Sequence, residues 1–152
     1  MKPILPAVVG GLTVAILAGC STPGAYKKRS DLVSNPAACA SKRFEVYFDQ
    51  DQARLTVAAR EAISLTATQL QGCDITRVQV LGLADARTGT AASNQSLSER
   101  RARSVAEALA GVGLPAPAFE VAAAGAEGAV VNGVNDPLRR RTEVMIEAQP
   151  RR

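Results

Sequence analysis

Residues 75–101 read ITRVQVLGLADARTGTAASNQSLSERR. The first nine alternate, with Ile75, Val78 and Val80 as β formers, and predict a strand. Asp85 closes the apolar run, and a small polar loop follows. Ser96-Leu97-Ser98-Glu99 is an S-x-x-E capping box, which predicts a helix over 96–110 ended by Gly111 or Gly113. The stretch is therefore a strand, a loop and a helix, with one acid on the near side of the loop and arginines on the far side.

Working outward, Phe44 to Phe48 is a short alternating β-rich run. Residues 55–71 are alanine- and leucine-rich, with Thr56 placed as N-cap and Gly72 as C-terminal stop. Phe119 to Ala123 and Thr142 to Ala148 are two further strands. The order βαβαββ implies an α/β (α+β) two-layer sandwich, a mixed four-stranded sheet with two helices on one face. Val121–Asn135 is Gly/Ala-rich and reads as a loop exposed at its tip.

On a helix wheel, Leu97, Ala102, Val105, Ala108 and Leu109 form one apolar arc. Arg100 and Arg103 fall on the opposite side with Glu107. Arg101 falls inside the arc, and an always-charged guanidinium rarely faces inward without an anionic partner. Asp85, at the end of the preceding strand, is the candidate. Either the two form a structural salt bridge, or both face a shared cleft and hold a ligand that bears both charges. Ligand sites of α/β folds lie beyond strand ends, where this loop sits. Periodicity leaves both readings open.

The 152 residues carry a net charge of +4 and no histidine. The missing histidine removes His-based triads, the commonest general base and most zinc sites. Aromatics make up 3% of the chain, so base stacking on nucleic acid is not its theme. Cys20, Cys39 and Cys73 lack the CxxC spacing of a metal or redox site. No metal or cofactor is expected.

The first twenty residues, MKPILPAVVGGLTVAILAGC, join a positive Lys2 to an apolar core that is short for a membrane span. Leu17-Ala18-Gly19-Cys20 resembles the lipobox of bacterial lipoproteins. The resemblance implies a signal peptide over 1–19, acylation of Cys20 and anchorage in the cell outer membrane, with Ser21 in place of a retention aspartate. Residues 20–41 read as that lipidated cysteine and a flexible tether, 42–149 as the domain and 150–152 as a tail. Cys39 precedes the first strand and Cys73 the second. If those strands are parallel neighbours, a disulfide can close at their shared edge in an exported compartment; two free or buried thiols are the alternative.

Residues 44–147 resemble the OmpA-like peptidoglycan-binding domain found in peptidoglycan-associated lipoproteins. Phe44–Asp49 is similar to the family's opening strand. Gly82-Leu83-Ala84-Asp85 is similar to its Gly-His-x-Asp segment, and Asn94-x-x-Leu97-Ser98-x-x-Arg101-Ala102 to its Asn-x-x-Leu-Ser-x-x-Arg-Ala signature. Arg140-Arg141-Thr142-Glu143 is similar to its closing Arg-Arg-Val-Glu strand. The resemblance implies peptidoglycan as ligand and a grip on the diaminopimelate of the stem peptide. Asp85 would take the ammonium and Arg101 the carboxylate as a fork. Asn94 would hydrogen-bond the ligand or fix the loop, and Asp51 lies near a position that lines the family's pocket. Leu83 stands where the family has histidine, and Arg139 where it has asparagine. The loop from Asp85 to Asn94 is about one residue longer than in the family's lipoproteins.

Three classes of function follow. The first is a non-catalytic lipoprotein tethering outer membrane to cell wall, with other envelope proteins as further partners and no nucleic acid. The second is an envelope assembly lipoprotein that keeps the fold without strong wall binding. The third is a cell-wall hydrolase using Asp49 or Asp51 with Asp85 as an acid pair.

Overall fold

The computed structural model describes residues 39–87 and 89–151. The leader, Cys20 and the tether up to residue 38 lie outside the described residues. The chain runs β1 (Lys42–Tyr47), α1 (Val57–Gln69), β2 (Cys73–Gly82), α2 (Ala91–Gly111), β3 (Phe119–Ala123), β4 (Val130–Val131), β5 (Val134–Asn135) and β6 (Arg141–Pro150). Short 3-10 turns at Ala116–Ala118 and Pro137–Arg139 lead into β3 and β6.

The main sheet has the order β1-β6-β2-β3. β2 and β3 are parallel with α2 as their crossover, and β6 lies antiparallel between β1 and β2. Alternation decides the faces. Val46, Val78, Val80, Val144 and Ile146 are buried against Ala59 and Ile63 of α1 and Ala102, Val105 and Leu109 of α2. Residues one step out of phase, such as Arg43, Glu45, Gln79, Glu143 and Met145, line a groove on the helix-free face. The two-layer sandwich with both helices on one face is thus the observed architecture.

Gly82 sets how closely the layers meet. A Cβ built there would lie 2.0 Å from the Ser98 carbonyl oxygen. Only glycine lets β2 and α2 approach to that distance.

The boundary of α2 differs from the sequence expectation. The helix starts at Ala91, not 96, and Thr90 is its N-cap. The Thr90 hydroxyl accepts from Ser93 N while the Ser93 hydroxyl accepts from Thr90 N, a reciprocal box three residues apart. Only S-x-x-E fits the usual sequence pattern, but the Ser93 hydroxyl serves in place of the acid and nothing between 91 and 96 breaks a helix. The upstream cap therefore gains five helical residues, and Ser96 becomes a mid-helix residue whose hydroxyl accepts from Arg100 Nη1.

The Val121–Asn135 stretch is also more ordered than expected. It holds the β4–β5 hairpin, turned at Asn132 (φ 52°) and Gly133 (φ 78°). An Asn-Gly pair with both φ positive suits the tight two-residue hairpin turn. Val130, Val131 and Val134 stay exposed on it.

Cys39 and Cys73 are joined by a disulfide with a Cα–Cα distance of 5.6 Å. The adjacency assumed for their strands is absent, because β6 separates β1 from β2. Cys39 sits three residues ahead of β1, and that length of chain carries it to the start of β2. Both sulfurs belong to the core, with Leu70 and Leu114. The C-terminal end of β6 reaches the same place, since Pro150 pairs with Cys73.

Candidate functional site

Asp85, Asn94 and Arg101 gather at the other pole of the sheet, beyond the ends of β1, β2 and β3 and the start of β6. β2 delivers Asp85 three residues after its last pair. α2 delivers Asn94 from its first turn and Arg101 two turns later. Among the described residues, the buried polar side chains are Asp85, Asn94, Ser98, Arg101 and Thr142. All five belong to this pole, through the loop after β2, the first three turns of α2 or the start of β6.

The helix wheel separated the arginines as the structure does. Arg100 and Arg103 are exposed, and Arg101 is 0% exposed. Its partner differs from expectation. Its guanidinium donates from Nε to the Gln52 carbonyl at 2.8 Å, from Nη1 to the Leu83 carbonyl at 2.9 Å and from Nη2 to the Asp49 carbonyl at 3.2 Å. The Phe48 ring lies beneath it, 5.1 Å from centroid to Cζ, close enough for a cation–π contact. Three carbonyl dipoles and a ring face thus replace the expected carboxylate fork. Burial pulls the Arg101 pKa below its ordinary value, while the charges of Asp85 and Asp51 act in the opposite direction.

Asp85 is 5% exposed, and its carboxylate pairs with Arg140, Oδ2 to Nε, at 3.9 Å. Its loop is pinned from two sides. Leu83 N donates to the Arg141 carbonyl at 2.9 Å, and Ala84 N to the Gly125 carbonyl at 2.7 Å. Gly125 N in turn donates to the Ser98 hydroxyl at 3.0 Å, which ties the turn after β3 to α2. Asn94 is buried beside Gly89, whose hypothetical Cβ would lie 3.0 Å from Asn94 Oδ1. The φ of 81° at Gly89 independently requires glycine there.

Asp51 does not join the buried group. It is exposed in the turn after β1, in a left-handed conformation of φ 55° that is uncommon outside glycine. That turn supplies the Asp49 and Gln52 carbonyls, so Asp51 stands on the segment covering Arg101.

Sequence reasoning missed Arg140, Phe48 and the three carbonyls. The basic run Arg139-Arg140-Arg141 at the start of a strand was the available signal for Arg140. Carbonyls carry no side-chain signature, so no pattern could have shown them. Arg139 turns away from Asp85: it donates to the Glu127 carbonyl, and its guanidinium lies against Gly128.

The model of the OmpA family fits residues 47–143. The chain belongs to the OmpA family. Outer membrane protein A of Escherichia fergusonii is 33% identical over 103 residues, covering 66% of this chain and 42% of that protein. An outer membrane protein of Gluconacetobacter diazotrophicus is 32% identical over 118 residues, covering 72% of this chain and 31% of that one. This OmpA-family chain thus spans less than half the length of these two curated relatives.

Solved structures agree. The OmpA-like domain of FopA1 from Francisella tularensis superposes with a TM-score of 0.61 at 25% identity, covering 72% of this chain and 73% of that one. The peptidoglycan-associated lipoprotein of Burkholderia pseudomallei gives 0.59 at 26% identity, covering 70% and 91%.

Proposed function

We propose that this OmpA-family chain is a non-catalytic envelope protein that binds peptidoglycan at the Asp85–Arg101 pole and is held to the outer membrane by acylated Cys20. The observation that carries the reading is the pair itself. A carboxylate and a guanidinium, both almost wholly buried, stand at the strand ends where two loops and a helix N-terminus converge. Burying charge is costly unless the site uses it. Diaminopimelate carries an ammonium and a carboxylate on one carbon, and the two groups complement it. The wall grip and the lipid anchor, joined through the tether, give avidity without any new contact.

The closed geometry sets the order of events. Arg101 offers no exposed surface, so a ligand carboxylate reaches it only when the Asp49–Gln52 turn yields. The carboxylate then replaces the Asp49 and Gln52 carbonyls on Nη2 and Nε, while the Leu83 carbonyl keeps Nη1 oriented. The left-handed Asp51 stores on the order of 1 kcal/mol in the covering turn, which eases its opening. The ligand ammonium meets Asp85 in competition with Arg140.

Co-sedimentation with purified sacculi tests the reading. Asp85→Asn and Arg101→Lys should each bind about tenfold more weakly or worse, since each loses a charge-assisted contact worth roughly 1.5–3 kcal/mol. If both variants sediment like wild type, the two-charge grip is wrong. A second reading has one observation in its favour. The three carbonyls already satisfy Arg101, as suits an assembly module that keeps the fold without wall binding. Folded wild-type protein that stays in the supernatant would select it. A hydrolase needs two facing carboxylates, and the charge that Asp85 meets at contact is Arg140 instead.

A further inference from the structure

A pull that reaches this domain from its N-terminal side arrives at Cys39. Two covalent routes lead on from there. One continues along the main chain through residues 40 and 41 into β1. The other crosses the disulfide into Cys73, the first residue of β2.

The two strands differ in how they are held. β1 is an edge strand, and its six residues pair with β6 alone. β2 is central, paired with β6 from Cys73 to Gly82 and with β3 from Val78 to Gly82. They also differ in what depends on them. β1 runs into Phe48, Asp49 and Gln52, which supply the ring and two of the three carbonyls around Arg101. Sliding β1 along β6 would strip that cover from the guanidinium. β2 runs straight into Leu83 and Asp85, and spans about 30 Å between the two poles at its ordinary rise per residue.

We propose that the Cys39–Cys73 disulfide diverts load from edge strand β1 to central strand β2, making β2 the tension member between the N-terminal attachment and the Asp85 loop. With the bond closed, the chain from 39 to 73 cannot lengthen, and β1 with the Asp49–Gln52 turn stays slack. Load between Cys73 and the Asp85 loop is then carried covalently along the already extended β2, and its edge hydrogen bonds need not break. With the bond open, the same load acts on β1 and its single paired edge. The purpose of this arrangement rests on the tethering reading above, but its mechanics do not.

Single-molecule pulling on the full chain, with Cys20→Ser throughout, tests the proposal. One handle is fused at the N-terminus and the other attached through an azide-bearing residue in place of Ala86. The disulfide-bonded protein should show no lengthening step up to failure of the handles, because its load path is covalent, whereas Cys39→Ser/Cys73→Ser should yield and lengthen as β1 shears from its single partner β6 and the chain from 39 to 73 pays out. If the double variant does not fold, wild type reduced with dithiothreitol takes its place. A control pulls between residue 86 and a handle after Arg152, which loads β6 and bypasses Cys39. There the two proteins should rupture at equal force. The same lengthening step in both proteins in the first geometry, or in neither, or an equally large contrast in the control, would overturn the proposal. Neither measurement uses peptidoglycan, so failed sacculus binding would leave the contrast standing.

Discussion

At one end of this sheet, Asp85, Asn94, Ser98, Arg101 and Thr142 are buried polar side chains. At the other end, Leu70 and Leu114 close over the Cys39–Cys73 bond, and no buried polar side chain is found among the described residues. The same four strands serve both ends. The site pole holds groups whose burial costs stability unless every one is matched. The disulfide pole adds a covalent crosslink and apolar cover. Local rules break at the pole proposed to bind the ligand and are kept at the other.

The contrast is broken most severely by Arg101→Ala. The buried Leu83 carbonyl and the partly buried Asp49 and Gln52 carbonyls lose their donor and a cavity opens, so about 4 kcal/mol of unfolding free energy should go. Denaturant titration reads it directly, and a loss under about 1 kcal/mol would mean that the carbonyl cage contributes little. Next is Cys39→Ser/Cys73→Ser. Opening a crosslink of sequence separation 34 should cost about 3–4 kcal/mol. Sacculus binding at 25 °C should stay unchanged, and a matching loss of binding would show that the poles are not independent. Gly82→Ala forces β2 and α2 apart against the Ser98 backbone, at about 2–3 kcal/mol. Thermal melting checks that change, and an unshifted midpoint would show that the layers slide without cost. The smallest effect has the opposite sign. Thr142 is 0% exposed and its Oγ1 finds no partner. Thr142→Val should therefore stabilise by about 1 kcal/mol, and a destabilised variant would reveal a bond to that hydroxyl.

Much of this contrast was legible in the sequence. Strand alternation and the two apolar helix faces gave the sandwich, because core burial repeats every 2 or 3.6 residues. The same periodicity turned Arg101 inward and Arg100 outward. What holds Arg101 was not legible. Asp49, Gln52 and Leu83 contribute backbone oxygens from two loops 31 or more residues apart, and any residue could supply them. The α2 start was misread because Ser96–Glu99 carries the usual S-x-x-E signature, while the box that caps the helix, Thr90–Ser93, has serine where that signature has the acid. The β4–β5 hairpin was overlooked because two-residue strands are too short to show alternation, though Asn132-Gly133 marked its turn. The disulfide was open to reading for a mistaken reason, since the inserted strand β6 comes from the far end of the chain.

Cys39 and Arg151, the first and last described residues, lie at one pole. Cys39 is bonded to Cys73, and Arg151 pairs with neighbouring Asp74 at 3.4 Å. Entry and exit therefore share one doorway, and the opposite face is formed by internal loops and the start of a helix. A unit wired this way is portable. It can be spliced onto another polypeptide at either end, or immobilised by either end on a sensor surface, with its Asp85–Arg101 face still pointing outward.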